Sequence, residues 1–385
     1  MSSPFFTVLV PSFSQLEQTR ATVASLIEQS LSDIEVLVCD NWSMDDTFQE
    51  FSNHSDPRVR AMRPPRHGLA SAMLELAWPM ASGRYIAILS AGDTFVPDAL
   101  AQFKTVIDKT SAKFLFGRPA EYFDHRLPET DGRHPNAGTI RIPSTTGRVM
   151  RLPSTAYLSS FYSLTPFFSW QPSGHVFERE LAETVAKRYQ GLFRGPTPQA
   201  HAWPAIASLS KWVMLVDQPL FVRHQAPRVP LGAASDGSTE AMVFDVHEGW
   251  EVDLTELPVK SHTMIAALAN GLWGLQRHPN AKMLLPYGRD EHTFAKLLEA
   301  EIASRQKNGF RVAVGEQERV AAWSKTLSTR PAPQVLANRL HARAWSMAWS
   351  LWSRVGATAA ATKACSADGG MAEAWRTVGS FLMSA

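Results

Sequence analysis

Phe5–Ser43 reads FFTVLVPSFSQLEQTRATVASLIEQSLSDIEVLVCDNWS, and its periodicity decides the fold. Phe5 to Pro11 (FFTVLVP) is short, β-branched and aromatic and ends in Pro-Ser, the pattern of a buried strand that delivers a loop. Gln15 to Ser30 then sets Ala21, Val23, Ala24 and Ile27 among polar residues at helical spacing. Ile34 to Cys39 (IEVLVC) is a second apolar run, closed by Asp40-Asn41-Trp42-Ser43. Strand, helix and strand at this spacing make one βαβ unit, and its right-handed crossover leaves both strands parallel in one sheet. Ligands of such sheets bind beyond the carboxyl ends of the strands. Pro11, Ser12 and Phe13 are therefore expected on one rim with Asp40, Asn41 and Ser43.

The alternation continues outward from this unit. Asp45 to Ser52 reads as a short helix, Arg58 to Met62 as a third strand, and Leu69 to Ala81 as a helix cut by Pro79. Tyr85 to Leu89 (YIAIL) is a fourth strand that stops at Ser90-Ala91-Gly92-Asp93, and Pro97 to Lys109 follows as a helix with proline in its first turn. Between Phe114 and Phe168, prolines 119, 128, 135, 143, 153 and 166 break the pattern into pieces, which predicts a large excursion from the sheet where an acceptor could be read. Order returns at Gly174-His175-Val176-Phe177, with helices over Glu178–Arg188 and Ala202–Leu209 and a closing strand over Val213–Asp217. Residues 1–225 thus read as one α/β domain, a mostly parallel Rossmann-like sheet flanked by helices. Gly, Ser and Asp around Gly232–Gly237 mark a linker, so residues 226–385 read as linker and mainly helical region. Its helices are expected at Ser261–His278, Asp290–Asn308, Gln317–Leu327 and Gln334–Val355, with a small-residue, partly mobile tail from Gly356 to Ala385.

Composition narrows the function classes. With 38 Lys and Arg against 36 Asp and Glu, nothing points to a nucleic-acid binder held by bulk charge, so partners must be sought in local sites. Only Cys39 and Cys365 are present, far apart, which argues against a disulfide framework or a structural zinc and for a reducing compartment. Met1 to Val10 lacks signal-peptide organisation, and no stretch approaches the roughly 20 apolar residues of a spanning helix. The expected location is the cytoplasm, free or on the inner face of the membrane.

The strand ends carry a resemblance. TVLVPSFS (Thr7–Ser14), LVCDNWSMDDT (Leu37–Thr47), HGLASAM (His67–Met73) and GRYIAILSAGDTFVPDAL (Gly83–Leu100) resemble, in this order, the segments of the inverting, GT-A fold glycosyltransferase family 2, and the likeness extends to His224. Asp40 falls on the first aspartate of the family's Val-Asp-Asp-Gly-Ser segment, Asn41 on the second and Trp42 on the glycine. A nucleotide-sugar donor needs a slot for its base, a polar group for the base edge, and neutralisation of a diphosphate leaving group. The resemblance implies that Pro11, Ser12, Phe13, Asp40 and Asn41 hold the nucleoside and that Asp93 meets a manganese or magnesium ion or the diphosphate. It further implies sugar transfer to a saccharide or lipid-linked saccharide in surface polysaccharide assembly.

This chain departs from the family at three places, one of them near Met73-Leu74, where the family often carries Arg-Asn or Met-Asn and this chain keeps no arginine. Ser90-Ala91-Gly92 stands before Asp93 where the family commonly has Asp-x-Asp, and Pro198-Gln199 stands where its catalytic aspartate is expected. His201 is the nearest titratable replacement for the base, since imidazole titrates near neutral pH. Alternatives stay open: His201 as a packed helix residue, Asp93 as a helix cap, Phe13 and Trp42 as packing aromatics, Ser12 as a turn residue. His224 either meets the diphosphate or ends its strand, and His175 either lies on the acceptor side or packs. The helix Gln334–Val355, with Trp345, Trp349, Trp352, Arg339, Arg343 and Arg354, reads either as a membrane-interface element or as a packing helix. A non-catalytic nucleotide-binding or scaffold relative of the fold is the competing function.

Overall fold

The computed structural model describes residues 3–126, 137–164, 171–225, 264–307, 312, 314–327, 331–355, 357–365 and 370–384. The linker expected around Gly232–Gly237 lies outside them, as do Pro128, Pro135 and Pro166.

β1 (Phe6–Ser12), α1 (Leu16–Ile27) and β2 (Ile34–Asp40) form the anticipated unit, and β1 and β2 pair in parallel from Phe6–Ile34 to Ser12–Asp40. α2 (Thr47–Ser52) leads to β3 (Val59–Met62), and α3 (Ala70–Ala77), followed by a 3-10 turn over Trp78–Met80, leads to β4 (Tyr85–Ile88). The order β3-β2-β1-β4 is parallel throughout, so four strand ends point to one rim. Side chains alternate through the sheet: Phe6, Val8 and Val10 enter one core layer and Leu9 the other. Burial on both faces explains the unbroken apolar runs of β1 and β2.

Beyond β4 the sheet becomes mixed. After β5 (Thr94–Phe95) and α4 (Ala99–Thr110) comes β6 (Phe114–Phe123), then β7 (Thr139–Ile142), β8 (Val149–Pro153), α5 (Ser154–Tyr162) and β9 (His175–Glu178). β9 sits antiparallel between β4 and β6. After α6 (Arg179–Tyr189) and α7 (Pro198–Ser208), β10 (Trp212–Gln225) runs parallel to β6 and antiparallel to β5 and β8. The excursion expected from Phe114 thus opens with a ten-residue central strand. Gly117 and Pro119 hide it, because β6 is buried on both faces and Pro119 lies at a register shift against β10, where a missing N–H is tolerated. β10 likewise carries the closing strand expected over Val213–Asp217 on to Gln225 through the irregularity at Pro219.

The later helices are α8 (Met264–Arg277), α9 (Glu291–Lys307), α10 (Glu316–Thr326) and α11 (Pro333–Trp352). They share the core layer of α3, α5 and α7 through Trp273, Phe294, Leu298 and Val320. The tail expected to be mobile instead forms β11 (Ala361–Ala364), paired with β7, and α12 (Gly370–Ser384). Trp375 of α12 is buried in the opposite layer with Val23 and Phe95, which small-residue composition did not signal.

At the far end of the sheet from the rim, Glu35 accepts hydrogen bonds from Thr7 Oγ1 (2.6 Å), Ser82 N (3.0 Å), Ser82 Oγ (2.9 Å) and Arg60 Nε (2.9 Å). Burial opposes its charge, but these donors outweigh burial and hold the carboxyl below the usual glutamate range. Glu35→Gln is expected to cost about 1–2 kcal/mol of folding stability in urea unfolding, one or two charge-assisted bonds becoming neutral or lost.

Candidate functional site

The rim is tied together by its own side chains. Ser12 Oγ hydrogen-bonds Thr19 Oγ1 (2.7 Å) and Ser12 O accepts from Asn41 N (2.9 Å), which locks the ends of β1 and β2. Asn41 spends its amide on the next loop: Nδ2 donates to Gly68 O (2.6 Å) and Oδ1 accepts from Gly68 N (3.0 Å). His67 Nδ1 lies 2.7 Å from Asn41 O, and its ring meets Phe13 at 4.7 Å between centroids. Pro11, Ser12, Phe13, Asp40 and Asn41 are thus brought to one place, with Phe13 and Pro11 half-buried and the others buried.

Asp40 is fully buried, and its Oδ2 accepts from Arg63 Nε at 2.7 Å while Ser43 N approaches both oxygens at 3.3 Å. The Arg63 guanidinium is held over the rings of Phe48 (4.3 Å) and Trp42 (5.2 Å). Its Nη2 is buried and makes no hydrogen bond. Trp42 adopts φ +64, the left-handed region, at the position where the resembled segment has glycine. Its Nε1 donates to Pro64 O at 2.9 Å, and that bond with the stacked Arg63 holds a conformation a large side chain otherwise disfavours. Arg63 was not singled out from the sequence; a basic residue immediately past β3, on the same rim, was the signal for it.

Asp93 follows β4 and faces inward. Oδ2 accepts from Ser173 Oγ (2.5 Å) and Oδ1 from His224 N (3.0 Å), which pins the loop after β4 to the start of β9 and the end of β10. Burial pushes this carboxyl up to about 6 despite both donors. His224 Nε2 lies 2.8 Å from Asp124 Oδ2, and its ring stacks on Tyr122. Burial lowers His224 below the usual histidine range, although Asp124 pulls the other way. Asp124 is buried too, yet hydrogen bonds from Arg126 and His224 outweigh burial and hold it well below the usual carboxylate range.

These residues do not fit a divalent cation held by the protein. Both Asp93 oxygens already accept hydrogen bonds, Ser90 and Gly92 offer no carboxylate, and among the described residues no three His, Cys, Asp or Glu side chains converge as ligands.

His201 lies on α7, buried, with Nδ1 2.9 Å from Leu192 O. Its hydrogen bond identifies Nδ1 as the protonated nitrogen, since a carbonyl only accepts, and leaves Nε2 as the basic one. Burial pushes the ring down to about 4, so it is neutral at pH 7. The approach to α7 is fixed by α3: Glu75 accepts from Leu192 N (2.9 Å) and Phe193 N (2.7 Å), and Ser71 Oγ donates to Gly195 O (2.6 Å). α3 begins directly after His67-Gly68, so the loop into α7 is built against the element that leaves the nucleoside rim. His175 is elsewhere: fully buried, stacked on Trp203 at 4.6 Å and pushed down to about 3 by burial, it packs the core.

A parallel βαβ sheet with an acidic, aromatic rim at its strand ends, closed by antiparallel strands on one side, is the GT-A fold. Residues 7–170 match the family described as Glycosyl transferase family 2. Among curated proteins the chain is similar to the Escherichia coli UDP-Glc:alpha-D-GlcNAc-diphosphoundecaprenol beta-1,3-glucosyltransferase WfgD, 26% identical over 117 residues, 30% of this chain and 46% of that protein. It is also similar to the chondroitin synthase of Pasteurella multocida, 32% identical over 99 residues, 25% of this chain and 10% of that one. The chain thus spans less than half the length of these relatives in what it matches. Among solved structures, S. aureus TarS 1-349 superposes with a TM-score of 0.48 at 14% identity, over 86% of this chain and 93% of that one.

Proposed function

We propose that the protein is an inverting hexosyltransferase that moves a sugar from a UDP-linked donor to a saccharide or lipid-linked saccharide in surface polysaccharide assembly. The observation that carries this reading is the Asp40–Arg63 pair, a buried acceptor beside a buried donor with an unspent N–H. An imide edge, N–H flanked by C=O, is its complement, and Phe13 and His67 supply ring faces beside it. The names of two relatives specify UDP-glucose as donor and a diphosphoundecaprenol-linked acceptor, which supports the same substrate class.

In this mechanism the acceptor oxygen attacks the anomeric carbon as the bond from that carbon to the nucleotide diphosphate breaks, and the configuration inverts. The acceptor proton passes to Nε2 of His201, neutral at working pH. His224 lends the departing diphosphate no hydrogen bond: its Nε2 donates to Asp124, and the Nδ1 that borders Gly92 is then the acceptor nitrogen of a neutral ring. No step is assigned to a metal.

One observation favours a second reading, a nucleotide-binding relative without transferase activity: Ser90, Gly92 and Gln199 occupy positions where the family keeps carboxylates. Titration calorimetry of the purified protein with UDP, GDP, CDP and dTDP, each with and without manganese, tests both. Selective UDP binding unaltered by manganese, with sugar transfer from a UDP-sugar, is the expected result. Binding without transfer selects the second reading, and no binding to any nucleotide removes both.

A further inference from the structure

α11 has two unlike faces. Inward, Val335, Asn338 and Ala342 are buried, His341 Nδ1 lies 2.8 Å from Ser159 Oγ on α5, and Arg339 pairs with Asp290. Trp345 and Trp349 are half-buried against the same core, Trp345 Nε1 donating to His341 Nε2 (3.0 Å) and Trp349 meeting Arg118. Those tryptophans therefore belong to the packed side. Outward, Leu336, Leu340, Met347 and Leu351 are 50%, 58%, 63% and 67% exposed, and Ala337, Ala344 and Ala348 fill the positions between them. At 1.5 Å per residue they make an apolar ridge about 22 Å long, continued by exposed Val355 just past the helix end. A stripe of this extent marks an interaction surface rather than scattered exposed residues.

Charge identifies what covers it. Residues 331–355 contain no Asp or Glu, while Arg343 and Arg354 are exposed beside the ridge and have no carboxylate partner among the described residues. Two copies of this helix laid ridge to ridge would face arginine with arginine and bring no acid to answer them. A surface that is apolar below and densely anionic above suits both features at once. We propose that α11 lies in the interface of an anionic phospholipid bilayer, with Leu340, Met347 and Leu351 among the acyl chains and Arg343 and Arg354 on headgroup phosphates. The link to a lipid-linked acceptor, whose sugar would be presented at that same surface, rests on the transferase reading above; the docking itself does not.

The experiment is flotation of the full-length protein with vesicles of phosphatidylcholine alone or with one-third phosphatidylglycerol. The wild type is expected to bind the anionic vesicles roughly tenfold more than the neutral ones, with the difference largely removed at high salt. Leu340→Asp/Met347→Asp/Leu351→Asp is expected to abolish binding, and Arg343→Ala/Arg354→Ala to reduce it several-fold. All these positions are exposed, and circular dichroism with UDP titration confirms that each variant is folded. Absence of vesicle binding by the wild type, or binding unchanged in the triple variant, overturns the proposal. So does a concentration-dependent dimer lost in the triple variant without vesicle binding, which would assign the ridge to a second copy. Transfer to a water-soluble acceptor is measured separately: vesicle binding without transfer removes the transferase reading and keeps the docking, and transfer without vesicle binding does the reverse.

Discussion

Asp40→Ala is expected to weaken UDP binding by about 10- to 100-fold, the loss of a charge-assisted hydrogen bond worth about 1.5–3 kcal/mol. The carboxylate is fully buried and shares its Oδ2 with Arg63, so its removal also strands a guanidinium that is only one-fifth exposed. A drop in stability accompanies the loss of affinity and must be separated from it. Asp40→Asn keeps the volume and one acceptor oxygen, and Arg63→Met removes the cation while retaining apolar contact with Trp42 and Phe48. If the pair reads the base, both single variants lose affinity and the double variant loses less than their sum. If the pair only braces the rim, affinity recovers in the double variant along with stability, and the nucleoside assignment fails.

His201→Gln is expected to lower kcat by about 10²- to 10⁴-fold, the usual contribution of a general base, while UDP affinity stays within about twofold, below 0.5 kcal/mol. Glutamine can still donate to Leu192 O, so the local fold is preserved. The pH dependence gives a second readout. Because burial lowers the folded-state value to about 4, the unfolded chain binds the proton more readily between that value and the ordinary histidine range. The ring's contribution to stability is therefore complete above about pH 6.5 and lost as the pH falls toward 4. His175, pushed down to about 3, acts in the same direction, whereas Asp93, raised to about 6, acts oppositely between the usual aspartate value and 6. His201→Gln should flatten part of the acid loss in urea unfolding curves. An unchanged kcat in a folded variant would remove His201 from the chemistry.

The parallel half of the sheet was legible because β1, β2 and β4 are apolar runs with polar strand ends, and each is followed or preceded by a helix of the right period. That pattern also placed Asp40, Asn41 and Phe13 on one rim. It did not show what each side chain does there. Asn41 could be aligned with an acidic ligand-binding position, yet its amide is consumed by Gly68, a pairing 27 residues away that no local pattern carries. Arg63 was missed because a single arginine after a strand has many explanations, and only the stacked Trp42 and Phe48 single it out. β6 was obscured by Gly117 and Pro119, residues that break strands on average and are accommodated here by the irregular pairing with β10. α12 was missed because its buried face is built from Met371, Ala374, Trp375 and Val378, only one of them a large residue that stands out in a small-residue tail.

The last strand imposes an order on biosynthesis. β11 hydrogen-bonds the whole of β7, Thr358 bonds back to Thr145, and Cys365 N reaches Gly138 O, so an edge laid down near residue 140 is closed only by residues beyond 357. More than 200 residues must leave the ribosome between the two events, during which β7 presents unpaired backbone groups. A ribosome that stalls, or a message cut short, within that interval yields a nascent chain whose rim strands are all present while its sheet edge stays adhesive. For this protein, synthesis of residues 357–365 and protection of the β7 edge from self-association are the same event.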